Sequence, residues 1–282
     1  NNIGRIAVIG PNANDVDVLL GNYHGYSDYY STILDGIKKR NPNSEVVYAA
    51  GSRLADELPL FEVLPAEFLF TDNDLTTNGL NGEYFPNKTF SGEPVLKRTD
   101  KQINFKWWGT SPDNRLPVDS FSVRWTGVLV PPVSGKYYIG ADGHRAYQLF
   151  INDSLITSLN NPHHNRTEYG SCYLEKGKKY NIRLDFVQNN SEQAFIKMLW
   201  DVPCRDLLAE AVELAKTSDV VILAAGLSPL LEGEEMKVKV KGFKEGDREN
   251  IELPDAQKQL IDAISKTGKP VVLVLLNGSA IA

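Results

Sequence analysis

The sequence predicts an α/β plus all-β chain: a split α/β sandwich with a mainly parallel sheet, interrupted by an inserted antiparallel β-sandwich. Three observations carry that prediction. Both ends of the chain read as continuous apolar strands separated by amphipathic helices, the pattern of a parallel sheet covered on both faces. From about Gly79 to Asp201 helical periodicity vanishes, and short alternating runs separated by turn signals take over, as in a sandwich. Each outer portion shows two evident strands, too few to bury a core alone, so the two are expected to combine. The expected boundaries are 1–70 for the first α/β half, 78–203 for the insert and 204–282 for the second half.

Taken in order, Arg5-Ile-Ala-Val-Ile-Gly10 is an apolar strand ending at the turn Gly10-Pro11-Asn12. Ser31 or Thr32 caps a helix whose Ile33, Leu34 and Ile37 share a stripe and whose last turn carries Lys38, Lys39 and Arg40. Glu45–Ala50 is a second buried strand. In the insert, Phe121–Trp125, Lys136–Ile139, Tyr147–Ile151, Asn181–Phe186 and Phe195–Trp200 alternate, divided by Ser134-Gly135, Asn152-Asp153 and Lys176-Gly177. Beyond it, Leu207, Leu208, Ala211, Val212, Leu214 and Ala215 have helical spacing and lead into the apolar strand Asp219–Ala225. Pro254 suits the first turn of a helix carrying Leu260, Ile261 and Ile264, which stops at Gly268 before the apolar strand Pro270–Leu276. The alternation Lys237, Lys239, Lys241 reads as an edge strand or hairpin with a charged outer face.

The bulk numbers exclude some classes of function. Over 282 residues, 42% hydrophobic and 23% charged content is that of a globular protein, and a net charge of −6 argues against a nucleic-acid binder. No apolar run approaches ~18 residues, so no membrane insertion is expected. The N-terminus has no signal-peptide pattern. Cys172 and Cys204 are too few for a disulfide framework and lack metal spacing. Gly10-Pro-Asn-Ala13 lacks the glycine spacing and lysine of a phosphate loop.

One stretch demands a chemical account. Gly226-Leu-Ser-Pro-Leu-Leu-Glu-Gly-Glu-Glu-Met236 puts Glu232, Glu234 and Glu235 within four residues at the mouth of a buried strand. By itself such a cluster is most simply a solvated acidic loop balancing Lys237, Lys239, Lys241 and Lys244. Its surroundings point elsewhere. Arg5–Ala13, Leu20-Gly-Asn-Tyr23 and Thr32–Ile37 resemble the C-terminal α/β-sandwich domain of glycoside hydrolase family 3. So do Asp219-Val-Val, Gly226–Glu232, Gly246-Asp247-Arg248, Leu253-Pro254, Gln257 and Leu260-Ile261. Between them, Gly82-Glu-Tyr-Phe85, Phe121–Gly127, Ser134-Gly-Lys-Tyr137, Asp142-Gly143 and Tyr147–Ile151 resemble the protective-antigen-type (PA-14) β-sandwich, an insert that family 3 enzymes are known to carry here.

The resemblance implies an exo-β-glycosidase acting on non-reducing ends with retention, which needs two carboxyl groups about 5–5.5 Å apart. The family pattern Gly-x-x-Pro-x-x-Glu places the general acid/base at Glu232, with Glu234 the alternative because many members have Glu-x-Glu; a neighbouring carboxylate would help the acid keep its proton. Asp247 and Arg248 are a candidate supporting pair, anchoring this loop to the helix after Pro254. The family nucleophile is an aspartate on an N-terminal (β/α)8 barrel, which takes roughly 200 or more residues. The stretch before Arg5 is far shorter, and the family pattern continues past Ala282. The chain is therefore expected to be a fragment holding half of an active site, inactive alone, whose partners are that barrel and a β-linked oligosaccharide. β-Xylosidase and β-glucosidase both remain open, and the family-based location is secreted or periplasmic.

In the insert, Trp107 and Trp108 are candidates for stacking on a sugar ring, against the plainer reading of sandwich tryptophans as core. A non-catalytic carbohydrate-binding module is accordingly the rival to the enzyme fragment. Relatives that bind sugar through calcium use two adjacent aspartates where this chain has Ala141-Asp142, so no metal and no cofactor is expected. His163-His164 point different ways and lack a third ligand. The polar stretch 160–166 reads as a loop overhanging the sugar pocket.

Overall fold

The computed structural model describes residues 3–21, 29–56, 58–189, 193–203, 205–233 and 239–282, with side chains for all of these but 161–166, 193 and 239. The chain divides into two compact units, one joining Asn1–Leu60 to Asp206–Ala282 and the other formed by Phe61–Arg205.

The first unit begins with β1 (Arg5–Ile9), α1 (Ile33–Arg40) and β2 (Glu45–Ala49). Thr32 opens α1 through a capping box: its Oγ1 accepts from the Asp35 backbone at 3.1 Å, and Asp35 Oδ2 accepts from the Thr32 backbone at 3.2 Å. The basic residues Lys38, Lys39 and Arg40 close it, where the helix dipole favours cations.

The second unit is antiparallel throughout. Its strands are β3 (Glu62–Val63), β4 (Leu69–Phe70), β5 (Leu80–Phe85), β6 (Leu96–Asp100), β7 (Asn104–Trp108), β8 (Ser120–Leu129), β9 (Gly135–Ile151), β10 (Ser154–Leu174), β11 (Tyr180–Asn189) and β12 (Gln193–Asp201). They pair in the order β3-β12-β9-β11-β8-β5-β6, with β10 on β9, β4 on β8 and β7 on β12. Strand β9 turns the corner: residues 138–143 pair with β12, residues 146–151 with β11, and Arg145 between them has a φ of 99°. This unit starts at Phe61, earlier than the composition shift near Gly79 suggests. The cause is pairing: Glu62 and Val63 join Trp200 and Leu199, and Leu69 and Phe70 join Leu129 and Val128. Residues 160–166 also differ from the expected loop. They lie within β10, and Asn161 and Asn165 face Arg145 and His144, so residues 162–164 bulge out of the ladder.

The sandwich core is aromatic. Trp125, Trp200, Tyr84, Tyr137, Tyr147, Phe121 and Phe186 are all fully buried. At its centre Asp100, itself buried, accepts from Tyr84 Oη, Trp125 Nε1 and Arg98 Nε. A Cβ at Gly82 would stand 2.6 Å from Asp100 Oδ2, so this network closes only over a glycine.

The chain then returns to the first unit through α2 (Leu207–Lys216), β13 (Val220–Gly226), three two-residue strands β14 (Lys239–Val240), β15 (Phe243–Lys244) and β16 (Asp247–Arg248), α3 (Asp255–Ser265) and β17 (Val271–Leu276). The order β17-β13-β1-β2 makes one four-stranded parallel sheet from both halves. On one face Ala7, Ile9, Val221 and Leu223 meet Ala211 and Ala215 of α2 and Leu260 and Ile264 of α3. On the other, Ile6, Val8 and Ala224 meet Leu34 of α1. The α/β layering is thus two-sided over β1 and β13 but open at β17, where Val272 is 52% exposed and Leu273 44%. The small sheet β14-β15-β16 lies beyond, its Val240 and Phe243 sharing a core with Ala55, Leu227 and Leu231.

Candidate active site

Parallel strands end at one edge of their sheet, the usual place for chemistry in open α/β folds. Here β13 and β17 end side by side, Gly226 opposite Leu276. Gly226 has a φ of 129°, and a Cβ on it would stand 2.0 Å from the Leu276 carbonyl oxygen, so only glycine lets the chain leave the strand at this angle. Buried Gln257 on α3 fixes the exit. Its Oε1 accepts from Gly226 N at 2.7 Å, and its Nε2 donates to the carbonyls of Gly226 at 2.9 Å and Leu54 at 2.8 Å. One residue on, Leu227 donates to the Leu276 carbonyl, while its own carbonyl accepts from Asn12 Nδ2 at 3.0 Å.

The segment then curls into a tight turn. The Ser228 carbonyl accepts from Leu231 N and Glu232 N, and Ser228 Oγ accepts from Leu230 N. Leu231 is fully buried against Ala55, Leu227, Val240 and Phe243, which anchors the turn and sets the direction of the next side chain. That side chain is Glu232. It is half-buried, its Oε2 accepts from Ser279 Oγ at 3.0 Å, and the following Gly233 N donates to the Gly246 carbonyl. The carboxyl group thus sits on a turn pinned at both ends, at the rim of a buried strand.

The other candidates fall in different places. Arg248 reaches Ser279, the hydrogen-bond partner of Glu232, a contact the sequence pattern does not suggest. It donates to Ser279 Oγ at 3.0 Å, to the Ala280 carbonyl and to the Glu252 carbonyl, tying the segment after β17 to the loop before α3. Asp247 is exposed, and among the described residues no ion pair joins it to Arg248, its neighbour on β16, where alternate side chains face opposite ways. Glu234, Glu235 and Lys237 lie outside the described residues, as do Tyr23, Cys204 and the side chains of His163 and His164. Trp107 is not a platform. It is 7% exposed, stacked on Phe105 with ring centroids 5.1 Å apart and set edge-on to Phe121, so it belongs to the sandwich core. Trp108, next along β7, is half-buried with Lys106 Nζ 4.2 Å from its ring centroid. Ala141 is buried and Asp142 pairs with Lys197 at 3.4 Å. Among the described residues no group of three or more histidine, cysteine, aspartate or glutamate side chains is placed to hold a metal, and no helix is long and apolar enough to cross a membrane.

Ser279, Gln257 and Asn12 are the site residues for which sequence reasoning found no role. A signal for Ser279 was present: in a parallel sheet, the turn after β17 must emerge beside the turn after β13. A separate cavity of about 240 Å³ is lined by Lys241, Glu252, Asp255 and Lys258 among others, and Glu232 is not in its wall. There Lys241 at 2.7 Å and Lys258 at 2.9 Å hold the Asp255 carboxyl down to about 2, so its charges satisfy one another.

Residues 76–205 match the PA14 domain family. Along its whole length the chain is 31% identical to a xylan 1,4-beta-xylosidase of Xylanibacter ruminicola, covering 32% of that protein. It is 26% identical over 98% of its length to a beta-glucosidase of Rhizobium radiobacter, covering 33% of that protein. A solved beta-glucosidase from Kluyveromyces marxianus shares the fold at a TM-score of 0.55 and 23% identity, over 98% of this chain and 34% of that one. The chain thus spans about a third of the length of the relatives it matches.

Proposed function

We propose that this chain, a segment of the β-xylosidase and β-glucosidase kind with a PA14 domain at its centre, supplies the general acid/base of a retaining exo-β-glycosidase of glycoside hydrolase family 3. Glu232 is the proton donor. The nucleophile is an aspartate on an N-terminal (β/α)8 barrel of the same full-length protein, and the substrate is the non-reducing end of a β-linked oligosaccharide from plant polysaccharide. The work takes place outside the cytoplasm, in the periplasm or after secretion. The observation that carries the reading is the fixed turn Ser228–Glu232, which holds one half-buried carboxyl at the carboxyl edge of a buried parallel sheet.

In the first step the nucleophile's carboxylate attacks the anomeric carbon, the bond to the leaving oxygen breaks, and Glu232 gives that oxygen its proton. In the second, the Glu232 carboxylate takes a proton from water as the water oxygen displaces the nucleophile, and the acid is restored. This chain's contribution is orientation: Gln257, Asn12 and buried Leu231 hold in place the segment that carries the Glu232 carboxyl through both steps.

Glu232→Ala in the full-length protein is the test. A phenyl glycoside needs a proton for its leaving group and should lose about 10²–10⁴-fold in kcat/KM. A dinitrophenyl glycoside needs none and should keep most of its kcat/KM, and azide should raise turnover by replacing the base-assisted water. If Glu234→Ala shows this pattern and Glu232→Ala does not, the assignment moves to Glu234. Hydrolysis of an aryl β-xyloside or β-glucoside by the isolated chain, abolished by Glu232→Ala, would overturn the division of the site between two parts of the protein.

A further inference from the structure

We infer that Ser279 is a positioning residue for the proton donor, acting as the middle of a relay from Arg248 through Ser279 to Glu232. The inference rests on the acid/base reading of Glu232 and adds what aims it. Arg248 donates to Ser279 Oγ at 3.0 Å, so one lone pair of that oxygen is taken by a cation, and its single proton goes to Glu232 Oε2, also at 3.0 Å. A hydroxyl that accepts from a guanidinium and donates to a carboxyl oxygen has its rotor set from both sides, and the charge-assisted bond to the guanidinium is a strong one.

The backbone around Ser279 is arranged to keep it there. Its carbonyl accepts from Asn277 Nδ2 at 3.0 Å, the Ala280 carbonyl accepts from Arg248, and Ala282 N donates to the Ile251 carbonyl at 2.8 Å. Arg248 reaches the Glu252 carbonyl as well, so one side chain clamps the segment after β17 and the loop before α3. Through Ser279 that clamp reaches Glu232 Oε2 and fixes the direction from which this oxygen is held. Without the hydroxyl the carboxyl loses that restraint, and the proton is presented at the wrong angle for part of the time.

The experiment compares Ser279→Ala, Ser279→Thr and Glu232→Ala in the full-length protein, on phenyl and dinitrophenyl glycosides, with thermal unfolding of each variant. Ser279→Ala is expected to lower kcat/KM for the phenyl glycoside about tenfold, the scale of one hydrogen bond to a charged group. For the dinitrophenyl glycoside it should stay within about twofold, because no proton is needed there. Ser279→Thr keeps the hydroxyl and should restore the phenyl activity. If Ser279→Ala unfolds, Ser279→Cys carries the same expectation with a weaker donor. Equal losses on both substrates, or no loss on either, would overturn the relay. If Glu232→Ala itself fails to separate the two substrates, the acid/base reading falls first; if it separates them and Ser279→Ala does not, the relay alone falls.

Discussion

Asp100 shows what the signature residues of the sandwich do one by one. It accepts from Tyr84 Oη at 2.5 Å, Trp125 Nε1 at 2.7 Å and Arg98 Nε at 2.7 Å, and Arg98 also donates to Tyr84 Oη at 2.8 Å. Burial, the Asp100 charge and the hydrogen bond to it together push the Tyr84 phenol well above its ordinary 10.0. The folded state therefore keeps this proton where the unfolded chain loses it. The stabilisation is fully present below pH 10 and declines as the pH rises beyond it. Tyr84→Phe should remove both the bond and this alkaline sensitivity, costing about 1.5–3 kcal/mol at neutral pH by denaturant unfolding. A cost well below that range, or an unchanged alkaline slope, would contradict the assignment. Gly82, Tyr84 and Trp125 were legible from the run of motif residues, but Asp100 was not, because the pairing of β5 with β6 that brings it near is long-range. The candidate site has the same asymmetry. Glu232 stands out beside its strand, whereas Ser279 comes within hydrogen-bond reach of it only once β17 lies next to β13.

At the scale of the element, apolar pattern located the strands and could not tell how much cover each receives. Asp219–Ala225 and Pro270–Leu276 look alike in sequence. In the fold Val221, Leu223, Ala224 and Ala225 of β13 are buried, while Val271, Val272, Leu273 and Leu275 of β17 are 37–52% exposed. Helix cover decides it: α2 and α3 pack on one face of β1 and β13 and α1 on the other, while β17 lies at the end of the order. An exposed apolar strand that, among the described residues, has no strand on its outer edge is a template for association. The isolated chain should therefore self-associate at raised concentration, and Val272→Lys, placed on an exposed face, should reduce that by light scattering without lowering the melting temperature by more than a few degrees. Undiminished association would put the sticky surface elsewhere. Boundaries were hardest to read where pairing overrode composition: β3 and β4 lie outside the alternating stretch yet belong to the sandwich ladder.

At the scale of the whole molecule, the two units differ in how they depend on the chain. Among the described residues, the buried core of the sandwich comes from Leu64 to Trp200, one continuous segment. The α/β unit is divided: β1 and β2 come from before the sandwich and β13 and β17 from after it, and β1 pairs with both β2 and β13. Asp219 fastens that seam, its Oδ2 accepting from Gly4 N and Arg5 N at 2.8 Å each, and these backbone bonds hold its carboxyl below the usual range. Each half alone would expose a sheet face that the other covers, as Ala211 and Ala215 of the second half do for Ala7 and Ile9 of the first. Residues 61–205 expressed alone should therefore unfold in one cooperative thermal transition with fixed near-ultraviolet aromatic ellipticity, whereas 206–282 alone should show neither. Tyr84→Phe should lower the transition of 61–205 and lower a matching transition in the whole chain. A sandwich segment that melts without cooperativity would mean that its core depends on the α/β halves, and that the insert is no independent unit of folding.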